Sequence, residues 1–350
     1  MSFQPNYKNL QKAAYNQAPD RLPLYEHVIS DKIIERVLKK EFRDLIHGGA
    51  RDKEEYFSNY CAFYKTMGYD TVSFERCVGE VMPDSGCLGQ HKESVIHDRA
   101  DFEKYPWDEI PERYFSRQSK YFEALKNTLP DGMAAVGGVG NGIFECVQDV
   151  IGYMNLCYIS SDDPDLYADL FKRVGDILLR IWQKFMDLYG DLYCVLRIGD
   201  DLGFNSNSLI SKSDIQRHIV PAYAKIIQCV HSYGKPFLLH SCGNIFNVMP
   251  DFIETAKINA KHSNEDEIAP FSVWVEKHGD KIAIFGGMDA DALCRLSLPE
   301  IRDYVTDILR KYGSSGGIAF GSGNSIPEYV PVENYVEMVN TVRKYRGDFN

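Results

Sequence analysis

Two residues that commonly bind metal ions, a histidine and a cysteine, lie close together in the second half of the chain. His240 and Cys242 flank Ser241 directly after the apolar run PFLL, and Gly243 follows them. In extended backbone, residues two apart point to the same side, so the imidazole and the thiolate can reach one ion. Both groups suit zinc, with bonds of roughly 2.0 to 2.3 Å, but a zinc ion normally has at least three protein ligands and this motif supplies two. The alternative is a loop cysteine beside a hydrogen-bonded histidine.

Acidic residues and a further histidine follow other apolar runs. Asp200 and Asp201 come after LYCVLRIG, where they could act as general acid or base or bind a polar ligand. Helix capping or turn formation is the alternative for this pair. His262 could be a metal ligand or a structural, hydrogen-bonded histidine. Glu265 opens the acidic run EDE, which is typical of a solvated helix start, and it is the candidate of that run for chemistry.

Charge and composition restrict the kinds of partner. The chain has 350 residues and a formal net charge of −11, from 39 basic and 50 acidic side chains, which disfavours nucleic acid as a partner. The longest uncharged stretch, Tyr312 to Pro327, is rich in Gly and Ser, so no membrane span is expected. Nine cysteines without a CxxC spacing, and an N-terminus without an apolar signal region, predict a reduced, cytoplasmic protein.

Short apolar runs alternate with longer helical patterns, an order typical of a parallel sheet covered by helices. Eight runs have the length and bounding residues of strands: Leu22 to Tyr25, Thr71 to Phe74, Met133 to Val139, Leu192 to Ile198, Pro236 to His240, Ile258 to Lys261, Ile282 to Gly286 and Gly317 to Gly321. Eight such units favour an α/β fold of the closed (β/α)8 TIM barrel type over an open sheet. The helical pattern Asn6 to Asn16 predicts an N-terminal extension. Because no stretch resembles a linker, residues 1–350 are predicted to form one domain.

In a (β/α)8 barrel the active site lies at the C-terminal ends of the strands. Polar residues occur at that end of each predicted strand: His27, Glu75, Asn141, Asp200, Asp201, His240, Cys242, His262, Glu265, Asp289, Ser322 and Asn324. The barrel interpretation also predicts that Leu238 and Ile284 are buried strand residues. It further predicts that His240 and Asp289 lie at the same rim.

The order of motifs in the second half of the chain is specific. IGDDLGFNSNSLIS is followed by a capped helix and then by GKPFLLHSCGNI, FGGMDADALC and GGIAFGSGNSIPEYVPVENY. With the earlier segment PDRLPLYEHVIS, this order resembles the uroporphyrinogen decarboxylase superfamily over essentially the whole chain. The resemblance implies a (β/α)8 barrel. The superfamily contains haem-pathway decarboxylases and also cobamide-dependent methyltransferases, such as methylcobamide:coenzyme M methyltransferase.

Four regions separate these two branches. The decarboxylases carry an arginine-rich motif of the type MRQAGRY and an Asp after the second strand, whereas this chain has LYEHVIS and Glu75 in SFERCVGE. In the methyltransferase branch a His-x-Cys pair after the fifth strand binds zinc, and His240 and Cys242 match it. That branch has a further Cys after strand eight, where this chain reads GNS with Asn324 in the middle. The resemblance is therefore closer to the methyltransferases, with one ligand replaced.

The resulting hypothesis is a zinc-dependent methyltransferase of C1 metabolism. It would move a methyl group between a small methylated substrate or thiol acceptor and a corrinoid (cobalamin) cofactor or corrinoid protein, and superfamily members suggest a homodimer. The expected site residues are these: His240, Cys242, Glu265 and His262 for the metal; Asp200, Asp201 and Glu75 for catalysis; His27, Asn141, Asp289, Ser322 and Asn324 for substrate. The alternatives are a decarboxylase or lyase acting on a small or tetrapyrrole carboxylic acid, and an idle barrel that binds a cobamide or a C1 compound.

Overall fold

A computed structural model of the chain describes residues 3–89 and 92–349. It is an α/β TIM-barrel-like fold, as the sequence predicts, in which seven parallel strands follow one another in chain order around the sheet. The strands are β1 (Thr71–Cys77), β2 (Ala134–Gly140), β3 (Tyr193–Gly199), β4 (Phe237–His240), β5 (Ala260–His262), β6 (Ala283–Met288) and β7 (Ile318–Ser322).

The helices are α1 (Lys8–Ala14), α2 (Asp31–Leu38), α3 (Ala50–Met67), α4 (Arg99–Lys104), α5 (Ile110–Thr128), α6 (Ile143–Ile151), α7 (Tyr153–Asp162), α8 (Pro164–Tyr189), α9 (Lys212–Asp214), α10 (Val220–Ser232), α11 (Met249–Asp251), α12 (Phe271–His278), α13 (Ala290–Arg295), α14 (Leu298–Tyr312) and α15 (Val332–Tyr345). Within the described ranges, no helix has the length and apolar character needed to cross a bilayer.

The first predicted strand, Leu22 to Tyr25, is not a full strand. It runs beside β7, where the Tyr25 N–H donates to the carbonyl of Phe320 at 2.8 Å. Pro23 has no N–H, which limits the hydrogen-bond ladder that this short segment can form. The segment still carries the residues after it, including His27, to the same rim as the other strand ends, because it lies parallel to β7.

The predicted N-terminal extension is present as α1, which packs against the inner layer of the barrel. Leu10 and Ala13 are completely buried, in one cluster with inward-facing strand residues such as Ala283. The Tyr7 N–H donates to the carbonyl of Gly132 at 2.9 Å, just before β2 begins. The helix therefore covers the N-terminal ends of the strands, opposite the end where the site is predicted.

The carboxyl ends of the strands share one rim, which confirms the barrel expectation. β4 ends at His240, β6 ends one residue before Asp289, and both strands pair in parallel with β5 between them. Leu238 and Ile284 are buried, as predicted, with 0% and 1% of their surface exposed. Residues that follow different strands can therefore meet at this rim.

Candidate metal centre

A tight turn at the end of β4 holds His240 and Cys242. His240 is the register partner of His262 on β5, and the N–H of the residue between His240 and Cys242 donates to the His262 carbonyl at 2.8 Å. Gly243 has a φ of 76°, and a Cβ there would lie 2.2 Å from the carbonyl carbon of Gly203. Glycine is required at this position because any side chain would push the turn away from the neighbouring loop.

Three side chains that could bind a metal ion converge at this turn. Nε2 of His240 lies 3.5 Å from Sγ of Cys242 and 3.8 Å from Oδ1 of Asp201. The same carboxylate oxygen accepts the Cys242 N–H at 2.9 Å, which ties Asp201 to the turn. The Asp201 side chain is 46% exposed and that of His240 only 6% exposed, so the group opens to solvent on the carboxylate side. Imidazole, thiolate and carboxylate are all ligands of zinc.

A second group of three histidines, His27, His240 and His262, also has ring nitrogens within 4.8 Å of one another. The rings of His27 and His240 are stacked, with centroids 3.7 Å apart and 5° between their planes. Ring nitrogens bind a metal through lone pairs that lie in the ring plane, so one ion cannot lie in two parallel planes. Among the described residues Glu265 is in neither group, and its Oε1 accepts the Gly243 N–H at 3.4 Å.

The sulfur of Cys242 receives two hydrogen bonds from other elements. Nδ2 of Asn324 donates to Sγ at 3.3 Å, and the hydroxyl of Ser263 donates at 3.7 Å. Burial raises the pKa of Cys242 to about 12, the charge of Asp201 adds to the rise, and the two donors oppose it. A bound cation reverses this balance, because metal coordination deprotonates a thiol.

The three histidines are neutral at physiological pH. Burial lowers the pKa of His262 to about 3, and it lowers the pKa of His27 and of His240 well below the usual value. A neutral imidazole keeps one lone pair for a metal ion or a hydrogen bond. His240 can therefore bind a metal ion without first releasing a charge-carrying ring proton. In the described part of the chain, Nδ1 of His27 is buried without a hydrogen-bond partner.

Asp200 points away from Asp201 and holds the start of α6. Its carboxylate accepts the Phe144 N–H at 3.2 Å and the Glu145 N–H at 2.9 Å, and the Tyr223 hydroxyl donates to it at 2.8 Å. Burial raises the pKa of Asp200 to about 6. These contacts match the helix-capping alternative for Asp200, whereas Asp201 is the member of the pair that reaches the turn.

Arg197, a residue that sequence reasoning missed, lies fully buried on β3 inside the barrel. Its guanidinium donates to Oε2 of Glu75 at 2.8 and 3.0 Å, to the hydroxyl of Tyr25 at 2.9 Å and to the carbonyl of His27 at 3.0 Å. Glu75 is therefore one half of a buried ion pair. A single arginine within the apolar strand YCVLRIG is the sequence signal that could have identified it.

Glu145, in the first turn of α6, is a second missed residue. Its Oε1 accepts the Asp201 N–H at 3.3 Å, and its Oε2 accepts from Nδ2 of Asn141 at 2.9 Å. Burial raises the pKa of Glu145 to about 8, and the charges of Asp200 and Asp201 raise it further. The predicted residue Asn141 thus reaches Asp201 through Glu145. No sequence signal marks Glu145, because only the docking of α6 brings it to the rim.

Two other predicted rim residues, Ser322 and Asp289, have partners in the protein. The carboxylate of Glu26 accepts the Ser322 N–H at 3.2 Å and a hydrogen bond from the Ser322 hydroxyl. Burial raises the pKa of Glu26 to about 8. Asp289 accepts the Ala292 N–H at 2.7 Å, which caps α13, and the Asp266 N–H at 2.9 Å. Both carboxylates fix the backbone of the rim around the turn.

Comparison with known proteins identifies the family. A profile described as uroporphyrinogen decarboxylase (URO-D) matches residues 8–345. The chain belongs to the uroporphyrinogen decarboxylase family. Uroporphyrinogen decarboxylase from Coxiella burnetii is 37% identical over 68 residues, which are 19% of this chain and 18% of that protein. The match to this curated relative therefore covers less than a fifth of its length.

Solved structures similar to this uroporphyrinogen decarboxylase family member include methyltransferase-type barrels. A methyltransferase from Methanosarcina mazei superposes with a TM-score of 0.76 at 16% identity, over 98% of this chain and 99% of that chain. A Listeria monocytogenes protein, provisionally assigned as a vitamin-B12-independent methionine synthase, superposes with a TM-score of 0.52 at 12% identity, over 95% and 97% of the two chains. At these identities the similarity shows the fold.

Proposed function

We propose that this family member is a zinc-dependent methyltransferase of C1 metabolism, which moves a methyl group between a small substrate and a corrinoid cofactor or corrinoid protein. The observation that carries the proposal is the convergence of Nε2 of His240, Sγ of Cys242 and Oδ1 of Asp201 at the barrel rim. His240 and Cys242 are the ligands expected from the sequence motif, and we propose Asp201 as the third, in place of Glu265 or His262, because its Oδ1 lies 3.8 Å from Nε2 of His240.

The residues present fit a zinc ion. Catalytic zinc sites use three protein ligands and keep one position for water or substrate. The Cys242 thiolate and the Asp201 carboxylate supply two negative charges, and His240 supplies a neutral nitrogen. The partial exposure of Asp201 would let a small substrate approach an ion held by these residues from the solvent side of the turn. This arrangement has the open character of a catalytic site.

The chain's own residues bind and orient the reactants. When bound, zinc would polarise the donor atom of a methylated substrate, or lower the pKa of a thiol acceptor so that its thiolate can attack a methyl group carried on cobalt. Asn324 and Ser263 stabilise the Cys242 thiolate through their hydrogen bonds to sulfur. We assign a substrate contact to His27, whose buried Nδ1 has no hydrogen-bond partner in the region that the structure describes.

The corrinoid partner must approach from outside the barrel. The interior is filled by buried side chains, among them Arg197 and Phe285, and α1 covers the opposite end. A corrinoid is much larger than any of these side chains, so it cannot enter. The methyl group would therefore pass at the rim, with a corrinoid protein docked over Asp201 and Cys242.

Methyl transfer from free methylcobalamin to a panel of thiols, followed by the visible spectrum of the corrinoid, tests the proposal. Zinc-loaded wild type should turn over, and Cys242→Ser should not. Cys157→Ser is the matched control because Cys157 is exposed on α7, and it should behave as wild type. A metal chelator should abolish turnover in both active proteins.

Two outcomes contradict the proposal in different ways. Release of carbon dioxide from a porphyrinogen or a small carboxylic acid, with no effect of chelator or of Cys242→Ser, supports the decarboxylase alternative. A zinc-loaded protein that turns over no thiol and no methylated donor supports the idle barrel.

A further inference from the structure

A chain of hydrogen bonds runs from His240 on the side opposite Cys242. Nδ1 of His240 lies 2.7 Å from Nδ1 of His262, and Nε2 of His262 lies 3.0 Å from the carbonyl oxygen of Ser322. Both rings are buried, with 5% and 0% of the residue surface exposed. The placement of the protons along this chain decides which nitrogen of His240 is free.

The proton positions follow from the end of the chain. The carbonyl oxygen of Ser322 can only accept, so Nε2 of His262 carries the proton of that hydrogen bond. A neutral imidazole has one N–H, which makes Nδ1 of His262 an acceptor. His262 is completely buried, and its ring nitrogens contact an imidazole and a carbonyl, neither of which offsets a positive charge, so its ring is neutral. Nδ1 of His240 is therefore the donor, and Nε2 of His240 carries a lone pair.

We infer that His262 is a positioning residue, which locks His240 in the tautomer that presents the lone pair of Nε2 to the metal ion beside Cys242. Metal-binding histidines usually donate their second ring N–H to a carboxylate, a carbonyl or water. In this site the acceptor is the neutral imidazole of His262. The inference rests on the proposed function only for the assignment of His240 and Cys242 as ligands. The tautomer itself is a property of the metal-free chain.

Neighbouring groups hold both rings in place. The Ser322 carbonyl is fixed because the Ser322 N–H donates to both oxygens of Glu26 at 3.2 Å, and the hydroxyl of Tyr69 donates to the same carboxylate at 3.4 Å. The parallel stack with His27, 3.7 Å between centroids, restricts rotation of the His240 ring. The orientation of Nε2 is thus set from the barrel interior, before any metal ion binds.

Long-range ¹H–¹⁵N correlation spectra of the metal-free protein, with ¹⁵N-labelled histidine, report the tautomers directly. We expect a protonated Nδ1 and an unprotonated Nε2 for His240, and the reverse for His262. His240 protonated at Nε2 would overturn the inference. This readout needs no turnover, so a failure of the methyl-transfer proposal and a failure of the tautomer assignment are distinguishable.

Two substitutions at position 262 separate a positioning residue from a ligand, with zinc alone as the titrant in calorimetry. His262→Leu removes the acceptor and should weaken zinc binding roughly 10- to 100-fold. His262→Asn keeps an oxygen near the place of Nδ1 and should retain most of the affinity. The exposed His47, changed to Leu, is the control and should bind as wild type. An equal, large loss of zinc affinity in both position-262 variants would identify His262 as a ligand. Unchanged zinc affinity in both variants would show that His262 does not position His240. Both results overturn the inference, and the spectra of the wild type decide if His262→Leu does not fold.

Discussion

Asn324 and Cys242 contact each other across the barrel rim, where Nδ2 of Asn324 donates a hydrogen bond to Sγ of Cys242 at 3.3 Å. Asn324 stands where the methyltransferases that this chain resembles carry a further cysteine. An amide N–H cannot bind zinc, so in the proposed site this side chain would act on the sulfur of Cys242 and not on the ion. A donor to the thiolate stabilises its charge while leaving one metal position for another group.

Substitution of Asn324 tests this contact. Asn324→Ala removes a hydrogen bond to the thiolate and should weaken zinc binding by roughly 10-fold. Asn324→Cys places a second thiolate near the ion and should bind zinc more tightly than wild type. Calorimetric titration with zinc measures both effects. A cysteine variant that binds no more tightly than wild type would show that position 324 does not face the metal.

A comparison of Asp201 with Glu265 tests the third ligand. Asp201→Asn removes the carboxylate that lies 3.8 Å from Nε2 of His240, and it should weaken zinc binding by at least about 10-fold. Glu265→Gln makes the same chemical change at a carboxylate that contacts the Gly243 N–H at 3.4 Å, and it should have a much smaller effect. The reverse order of affinities would identify Glu265 as the ligand.

The pH dependence of zinc binding reports the thiol. Because burial raises the pKa of Cys242 to about 12, zinc must displace a proton from sulfur at any physiological pH. Affinity should therefore fall about tenfold for each pH unit below that pKa. Because burial lowers the pKa of His240, its ring is already uncharged near neutral pH and releases no proton when zinc binds. Calorimetry in buffers of different ionisation heat should show about one proton released per zinc, and zinc binding without proton release would contradict a thiolate ligand.

Substitution of Asp200 should lower the free energy of unfolding and have little effect on zinc affinity. Asp200→Ala leaves two backbone N–H groups of α6 and the Tyr223 hydroxyl without their buried acceptor. The loss should be about 1–3 kcal/mol of unfolding free energy, measured by urea denaturation. Tyr223→Phe removes one of these contacts and a 3.4 Å hydrogen bond from the Ile143 N–H, and it should cost less because both N–H donors to Asp200 keep their acceptor. Loss of zinc affinity with unchanged stability would instead favour a direct role of Asp200 in the site.

The buried carboxyl of Glu26 should make stability fall as pH rises. Burial raises the pKa of Glu26 to about 8, whereas a glutamate in the unfolded chain titrates near about 4.3. Between these values the folded chain holds a proton that the unfolded chain has released, so stability decreases across this window and is level above it. Glu26→Gln cannot titrate and should gain stability relative to wild type from about pH 5 to about pH 8. The raised pKa of Glu26 would be contradicted if the unfolding free energies of Glu26→Gln and wild type differed by the same amount at about pH 5 and about pH 8.

Much of the fold is predictable from the chain because apolar runs and helical patterns alternate regularly. All seven strands lie at predicted runs, and the rim position of His240 follows from the end of its run. The first predicted strand fails as a strand because Leu22 to Tyr25 is short and contains Pro23, which cannot donate to a ladder. The local sequence pattern does not show how many backbone hydrogen bonds a segment can form with the neighbouring strand.

The orientation of side chains at the rim is harder to predict. Asp200 and Asp201 are adjacent and chemically alike, yet one caps α6 and the other contacts Cys242, because successive residues in extended backbone face opposite sides. Glu145 comes to the site only through the packing of α6. The spacing of His240 and Cys242 is local, which explains why this pair could be selected from sequence.

Metal content of the purified, zinc-supplemented wild type and of Cys242→Ser tests the central claim most directly. Cys242 supplies the thiolate of the proposed site, and its sulfur lies 3.5 Å from Nε2 of His240. We predict about one zinc per chain in the wild type and strong depletion in Cys242→Ser, with Cys157→Ser unchanged. Equal zinc in wild type and Cys242→Ser, or no zinc in either, would contradict a metal site at this turn.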